Sequence, residues 1–132
     1  MKQNSLSLKE RIKSKKDFDK IYSSGRILIS EDQRIKAIFL VKKEKKESGV
    51  KIAAVVSKKQ GKAVWRNRVK RLLKESYRLN KQRLVDFCEE RNILLMIVFM
   101  AFSVNERTSR KVALKDFMPG VAEIMKQLER KI

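Results

Sequence analysis

Ile93 to Phe102 (ILLMIVFMAF) are ten consecutive apolar residues in a chain of 132 residues of which 37% are charged. A membrane-spanning helix needs about 20 such residues, and this stretch has no polar position to mark a solvent-facing side. It reads instead as a strand, roughly Ile93 to Ala101, covered on both faces at the centre of a sheet. The rest of the chain must therefore supply flanking strands and helical layers.

The flanking sequence offers both. Ser14-Lys15-Lys16-Asp17 has capping-box spacing, and a helix from Lys15 to Ser24 is expected, closed by Gly25. Branched residues then dominate Ile27 to Ile29, Arg34 to Val41 and Val50 to Ser57, three expected strands. The charged link Lys42 to Gly49 reads as a hairpin loop. A break at Lys59-Gln60-Gly61 precedes a second helix of about Lys62 to Arg83. Helical spacing returns over Thr108 to Lys131, where Pro119-Gly120 is expected to kink or divide the helix. The order is α-β-β-β-α-β-α in one α+β domain spanning 1–132, with Met1 to Leu8 expected to be flexible. At this length such a domain buries roughly two thirds of the surface its unfolded chain exposes.

Charge narrows the function. The chain carries 34 Lys+Arg against 15 Asp+Glu, a formal +19. Residues 57–78 alone hold nine basic residues and one acid. Such a concentration points to a polyanion, nucleic acid before anionic membrane. The single cysteine, Cys88, excludes an internal disulfide framework and reads as a small, partly buried side chain. No histidine is present, so His-based zinc sites and His-dependent triads are excluded. With neither a membrane-length apolar run nor an apolar leader segment at its start, the chain is expected in the cytosol.

On the second helix, Trp65, Val69, Leu72, Leu73 and Ser76 fall on one face at about 100° per residue, a stripe for packing on a sheet. Asn67, Arg71, Lys74 and Arg78 fall opposite, with Lys70 beside them and Arg66 and Arg68 flanking. Guanidinium groups hold phosphate by paired hydrogen bonds, and an asparagine amide both donates and accepts. Lys58, Lys59 and Lys62 add charge where the helix dipole also favours phosphate.

Val56-Ser57-Lys58-Lys59 followed by Gly61-Lys62-Ala63-Val64-Trp65-Arg66-Asn67-Arg68-Val69-Lys70-Arg71 resembles the strand-to-helix signature of the bacterial ribonuclease P protein subunit. Weaker but collinear likeness runs through Arg11-Ile12-Lys13, Asp17-Phe18, Tyr22 and Gly25, so the resemblance covers nearly the whole chain. It implies an α/β sandwich of the ribosomal protein S5 domain 2 type, with a four-stranded sheet and a left-handed β-α-β crossover, where the general rule is right-handed. It also implies an activity: endonucleolytic removal of the 5′ leader from precursor tRNA by a catalytic RNA. The Mg2+ is held mainly by RNA and substrate, and none is bound tightly by the protein. The implied partners are ribonuclease P RNA and precursor tRNA, with no membrane, and the protein itself is a monomer.

By the same resemblance Lys58, Lys59, Lys62, Arg66, Asn67, Arg68, Lys70 and Arg71 meet the catalytic RNA, and Lys74 and Arg78 extend that row. Phe18 and Tyr22 match aromatic positions lining a cleft for the single-stranded leader, and Phe39 or a neighbour on the second strand is its floor. An aromatic pair at i, i+4 equally suits a helix core. Lys74 stands where arginine is frequent, and Ala101-Phe102 where Ala-Arg is frequent. Two other functions compete with this one: a general RNA-binding module, and a nuclease using Asp17, Asp19, Glu31 and Asp32, whose spacing forms no recognisable metal cluster.

Overall fold

In a computed structural model, which describes residues 6–43 and 47–132, a 3-10 turn (Leu8–Glu10) leads into helix α1 (Lys15–Ser24). Ser14 caps α1, its hydroxyl oxygen accepting from the Asp17 N–H at 3.4 Å. The helix ends at Gly25, whose backbone is extended (φ −74°, ψ 161°) rather than left-handed. Glycine is required there by contact: a Cβ would lie 2.4 Å from the Ile21 carbonyl oxygen and 2.7 Å from Ile38 Cγ2.

Strands β1 (Arg26–Ile29), β2 (Ile35–Lys42) and β3 (Gly49–Val55) follow, then helix α2 (Ala63–Glu90), strand β4 (Leu94–Ala101) and helix α3 (Leu114–Lys131). The sheet order is β1-β2-β4-β3, antiparallel except for the β3–β4 pair, which α2 connects as a parallel β-α-β unit. As the sequence predicts, β4 is interior. Leu95, Ile97 and Phe99 pack under α2 and α3, while Leu94, Met96 and Val98 join Ile12 and Ile21 on the α1 side. The fold is the expected α+β arrangement in the expected order.

Three expectations change. The link 42–49 is not a hairpin loop, because β2 and β3 both pair with β4, which lies between them. The most apolar strand takes the place where both edges and both faces are covered, and that separates its less apolar neighbours. Positions 44–46 of this link lie outside the described residues. Gly49 begins β3 at φ 117°, a conformation that favours glycine.

Second, α2 runs beyond Arg83 to Glu90, because Leu84 and Cys88 continue its buried stripe. Third, α3 starts at Leu114 rather than near Thr108, with the Asp116 carboxylate accepting from the Ala113 N–H at 2.8 Å. It also runs unbroken through Pro119. Gly120 is the closer constraint there, since a Cβ would lie 3.0 Å from Ile35 Cδ1 and 3.2 Å from Ser30 Cβ.

Of the expected flexible start, residues 1–5 lie outside the described residues, while Leu6 packs against the main core. The segment after it reaches the outer edge of β3, where the Ile12 N–H donates to the Ile52 carbonyl at 3.0 Å. Among the described residues no helix is long and apolar enough to cross a membrane.

Candidate nucleic-acid interface

The buried stripe of α2 comprises Trp65, Val69, Leu73, Ser76, Tyr77, Leu84 and Cys88. The stripe fixes the helix's rotation, so the other side of its first half must face solvent. Asn67, Arg68, Arg71 and Lys74 are exposed there, and Arg66, Lys70 and Arg78 are half-buried. Arg66 Nε donates to the Gly61 carbonyl at 3.1 Å, which holds its guanidinium against the preceding turn. Arg78 pairs with Glu75, and that hydrogen bond holds the Glu75 carboxyl below the usual carboxylate range. None of the other eight cations expected at the interface makes an ion pair among the described residues.

Lys58, Lys59 and Lys62 line a cavity of about 690 Å3 together with Gln60, Gly61, Glu106, Arg107 and Arg110. The last three lie on the loop between β4 and α3, where the sequence carried no recognisable motif. A latch joins the two loops. Gln60 Nε2 donates to the carbonyls of Ala101 at 3.0 Å and Val104 at 2.9 Å, and Gln60 Oε1 accepts from the Ser57 N–H at 2.9 Å. The Lys62 N–H, at the start of α2, is satisfied by Glu106 Oε1 at 2.8 Å. Trp65 packs as expected, buried at 3% exposure, and its indole also donates to Ser109.

The other face of the sheet carries the aromatic pair. Phe18 and Tyr22 stack with ring centroids 6.4 Å apart and planes 22° apart. Phe18 is half-buried against the smaller core, whereas Tyr22 is 47% exposed. Phe39 does not join them. It is 2% exposed and belongs to the core under α2 and α3, because alternate residues of β2 face opposite sides. Its neighbours Ile38 and Leu40 face α1, so the neighbour rather than Phe39 underlies Phe18. Beyond α1 the strand register aligns Ile29, Lys36, Met100 and Val55 in one row. Ile27, Ile29 and Phe102 are each at least 41% exposed, and Lys36 Nζ sits 5.8 Å from the Phe102 ring centre. Val55 ends β3 just before Ser57-Lys58, so this row, apolar apart from Lys36, leads by chain connection into the cationic loop.

Among the described residues no three His, Cys, Asp or Glu side chains are placed to hold a metal ion. Two of the four acids considered for a nuclease are engaged by other groups. Asp17 meets Lys42 Nζ at 3.5 Å, and Asp32 Oδ1 accepts from Ser30 Oγ at 2.6 Å and from the Arg34 N–H at 3.0 Å. Cys88 is fully buried, and burial pushes its thiol up to about 11.

The geometry thus offers phosphate-reading side chains on one element and an apolar, aromatic-edged face beside it, with no acidic cluster placed to hold a metal among the described residues. Comparison with known proteins agrees. The Ribonuclease P family model matches residues 6–117. The ribonuclease P protein component of Porphyromonas gingivalis (strain ATCC 33277) is 34% identical over 99 residues, covering 74% of this chain and 71% of that protein. That of Clostridioides difficile (strain 630) is 45% identical over 69 residues, covering 52% and 56%. In fold, the chain is similar to the RNase P protein of Staphylococcus aureus (TM-score 0.67, 21% identity, 90% and 94% covered). It is similarly close to that of Thermotoga maritima (TM-score 0.68, 23% identity, 89% and 96% covered). With the Arg-Asn-Arg helix, the mixed four-stranded sheet and a family match over residues 6–117, this chain belongs to the ribonuclease P protein family.

Proposed function

We propose that this chain binds the catalytic RNA of ribonuclease P through the first half of α2 and the loop before it. On this proposal it also holds the 5′ leader of precursor tRNA on the α1 side of the sheet, assisting endonucleolytic removal of the leader. The observation that carries the reading is the division of α2: a buried stripe on the sheet and, opposite it, a row of arginines, lysines and one asparagine with few acids. Like charges at helical spacing repel, so the row costs stability in isolation and is offset when phosphates approach.

The leader part rests on Phe18 and Tyr22 and on the apolar row beside them. A base stacked on an aromatic ring gains about 1 to 3 kcal/mol with little sequence preference, which suits a subunit that meets many leaders. Phosphodiester cleavage is assigned to the RNA, with magnesium held mainly by RNA and substrate. The protein's described acids do not converge on a metal site, and its part is to bind and orient. The chain acts as a monomer in the cytoplasm before assembly.

The test adds purified protein to a bacterial ribonuclease P RNA at low magnesium and follows cleavage of precursor tRNA. Stimulation of cleavage that requires both components is the expected result. Binding without stimulation would make the chain a general RNA-binding module, and cleavage by protein alone would restore the nuclease reading.

A further inference from the structure

Resting on the reading of this chain as an RNA partner, we propose that Arg107 and Arg110 form a second arm of the RNA interface. With Lys58, Lys59 and Lys62 they close around one site for phosphodiester groups of a folded RNA. These five cations line a single cavity of about 690 Å3, and none of them makes an ion pair among the described residues. The one acid on the rim, Glu106, has Oε1 committed to the Lys62 N–H at 2.8 Å. Glu106 thereby fills the start of α2, so an incoming anion is drawn to the side-chain cations rather than to the helix end.

The two halves of the site are held in register. The Glu106 N–H donates to the Gln60 carbonyl at 2.7 Å, and Gln60 in turn ties the end of β4. At Gly61 a Cβ would lie 2.6 Å from Trp65 Cε3 and 3.0 Å from Glu106 Cβ, so only glycine lets the loops approach this closely. Cations held in place before binding lose less freedom when the ligand arrives. Arginine adds a fork that fits phosphate by two parallel hydrogen bonds, where lysine offers a point charge.

The test measures affinity of the full chain for a bacterial ribonuclease P RNA across a salt series, for wild type, Arg68→Ala, the double variant Arg107→Gln/Arg110→Gln, and the double Arg→Lys variant. The expected result for the Gln double variant is a slope of log K against log salt shallower by about two units, with at least about a tenfold loss of affinity near 0.1 M salt. Both arginines are exposed, so its melting temperature stays at the wild-type value. The Lys double variant regains the slope. An unchanged slope in the Gln variant, while Arg68→Ala flattens it, overturns the second arm and leaves the RNA reading intact. Lost affinity with an unchanged slope and a lowered melting temperature assigns the arginines to loop structure and also overturns it. A wild-type chain with no salt-dependent RNA binding overturns the RNA reading itself.

Discussion

The indole Nε1–H of Trp65 donates to the carbonyl oxygen of Ser109 at 2.9 Å, bridging 44 positions of sequence. One bond therefore fastens the first turn of α2 to the loop that precedes α3. Trp65→Phe keeps much of the buried ring but leaves a partly buried carbonyl without its donor. It is expected to lower stability by about 1–3 kcal/mol, read as a lower urea midpoint with an unchanged m-value. A midpoint equal to wild type would mean the loop is not held by this bond.

Arg68 is the exposed arginine of the Arg-Asn-Arg core, whereas Arg66 is half-buried and bonded to Gly61. Arg68→Ala is therefore the cleaner probe of phosphate contact. It should leave the melting temperature unchanged and flatten the salt dependence of RNA binding by about one unit. Arg66→Ala is expected to flatten the slope and lower stability as well, since it removes a bond internal to the fold.

Glu10 gives a pH prediction. Burial by itself would raise its carboxyl, but Lys81 Nζ at 2.7 Å and the Ser7 N–H at 3.1 Å outweigh that and hold it below its ordinary value of 4.5. The folded state thus binds this proton less readily than the unfolded state. The stabilisation is fully present above the unfolded value and is lost as pH falls through the lowered folded value. Glu10→Gln should be less stable than wild type at about pH 7, and the gap should narrow as pH is taken below the ordinary value of 4.5. A gap that stays constant across that range would show that the carboxylate charge contributes nothing.

How much of this was legible beforehand depends on whether a signal was local. The β4 strand and the α2 stripe could be read directly, because an unbroken apolar run and a 3.6-residue period each have one structural solution. The hairpin expected at 42–49 is absent because strand order is non-local: nothing between Lys42 and Gly49 says that β4 inserts between β2 and β3. The sequence allows either Phe39 or a neighbour at the cleft floor, and a one-residue shift in strand register decides which face each meets. The β4–α3 loop was the least legible part. Arg107 and Arg110 are ordinary surface cations in the sequence and become neighbours of Lys58 and Lys59 only through Gln60 and Trp65. Gly25 is legible as a helix end, but its close approach to Ile21 and Ile38 depends on the sheet.

Phe18 and Tyr22 separate core from cleft, since they stack on each other yet differ in exposure. Tyr22 is 47% exposed, so Tyr22→Ala removes little buried surface and should leave melting nearly unchanged. If it stacks on a leader base, the same change weakens binding of leader-bearing precursor tRNA to the holoenzyme by about 1–3 kcal/mol and leaves mature tRNA binding alone. Phe18→Ala opens space against the smaller core, so it should lower both stability and precursor binding. The diagnostic is the ratio of precursor to mature tRNA affinity in each variant. A ratio that falls for Tyr22→Ala at constant melting temperature places the leader on this face. A ratio unchanged in both variants confines the pair to packing.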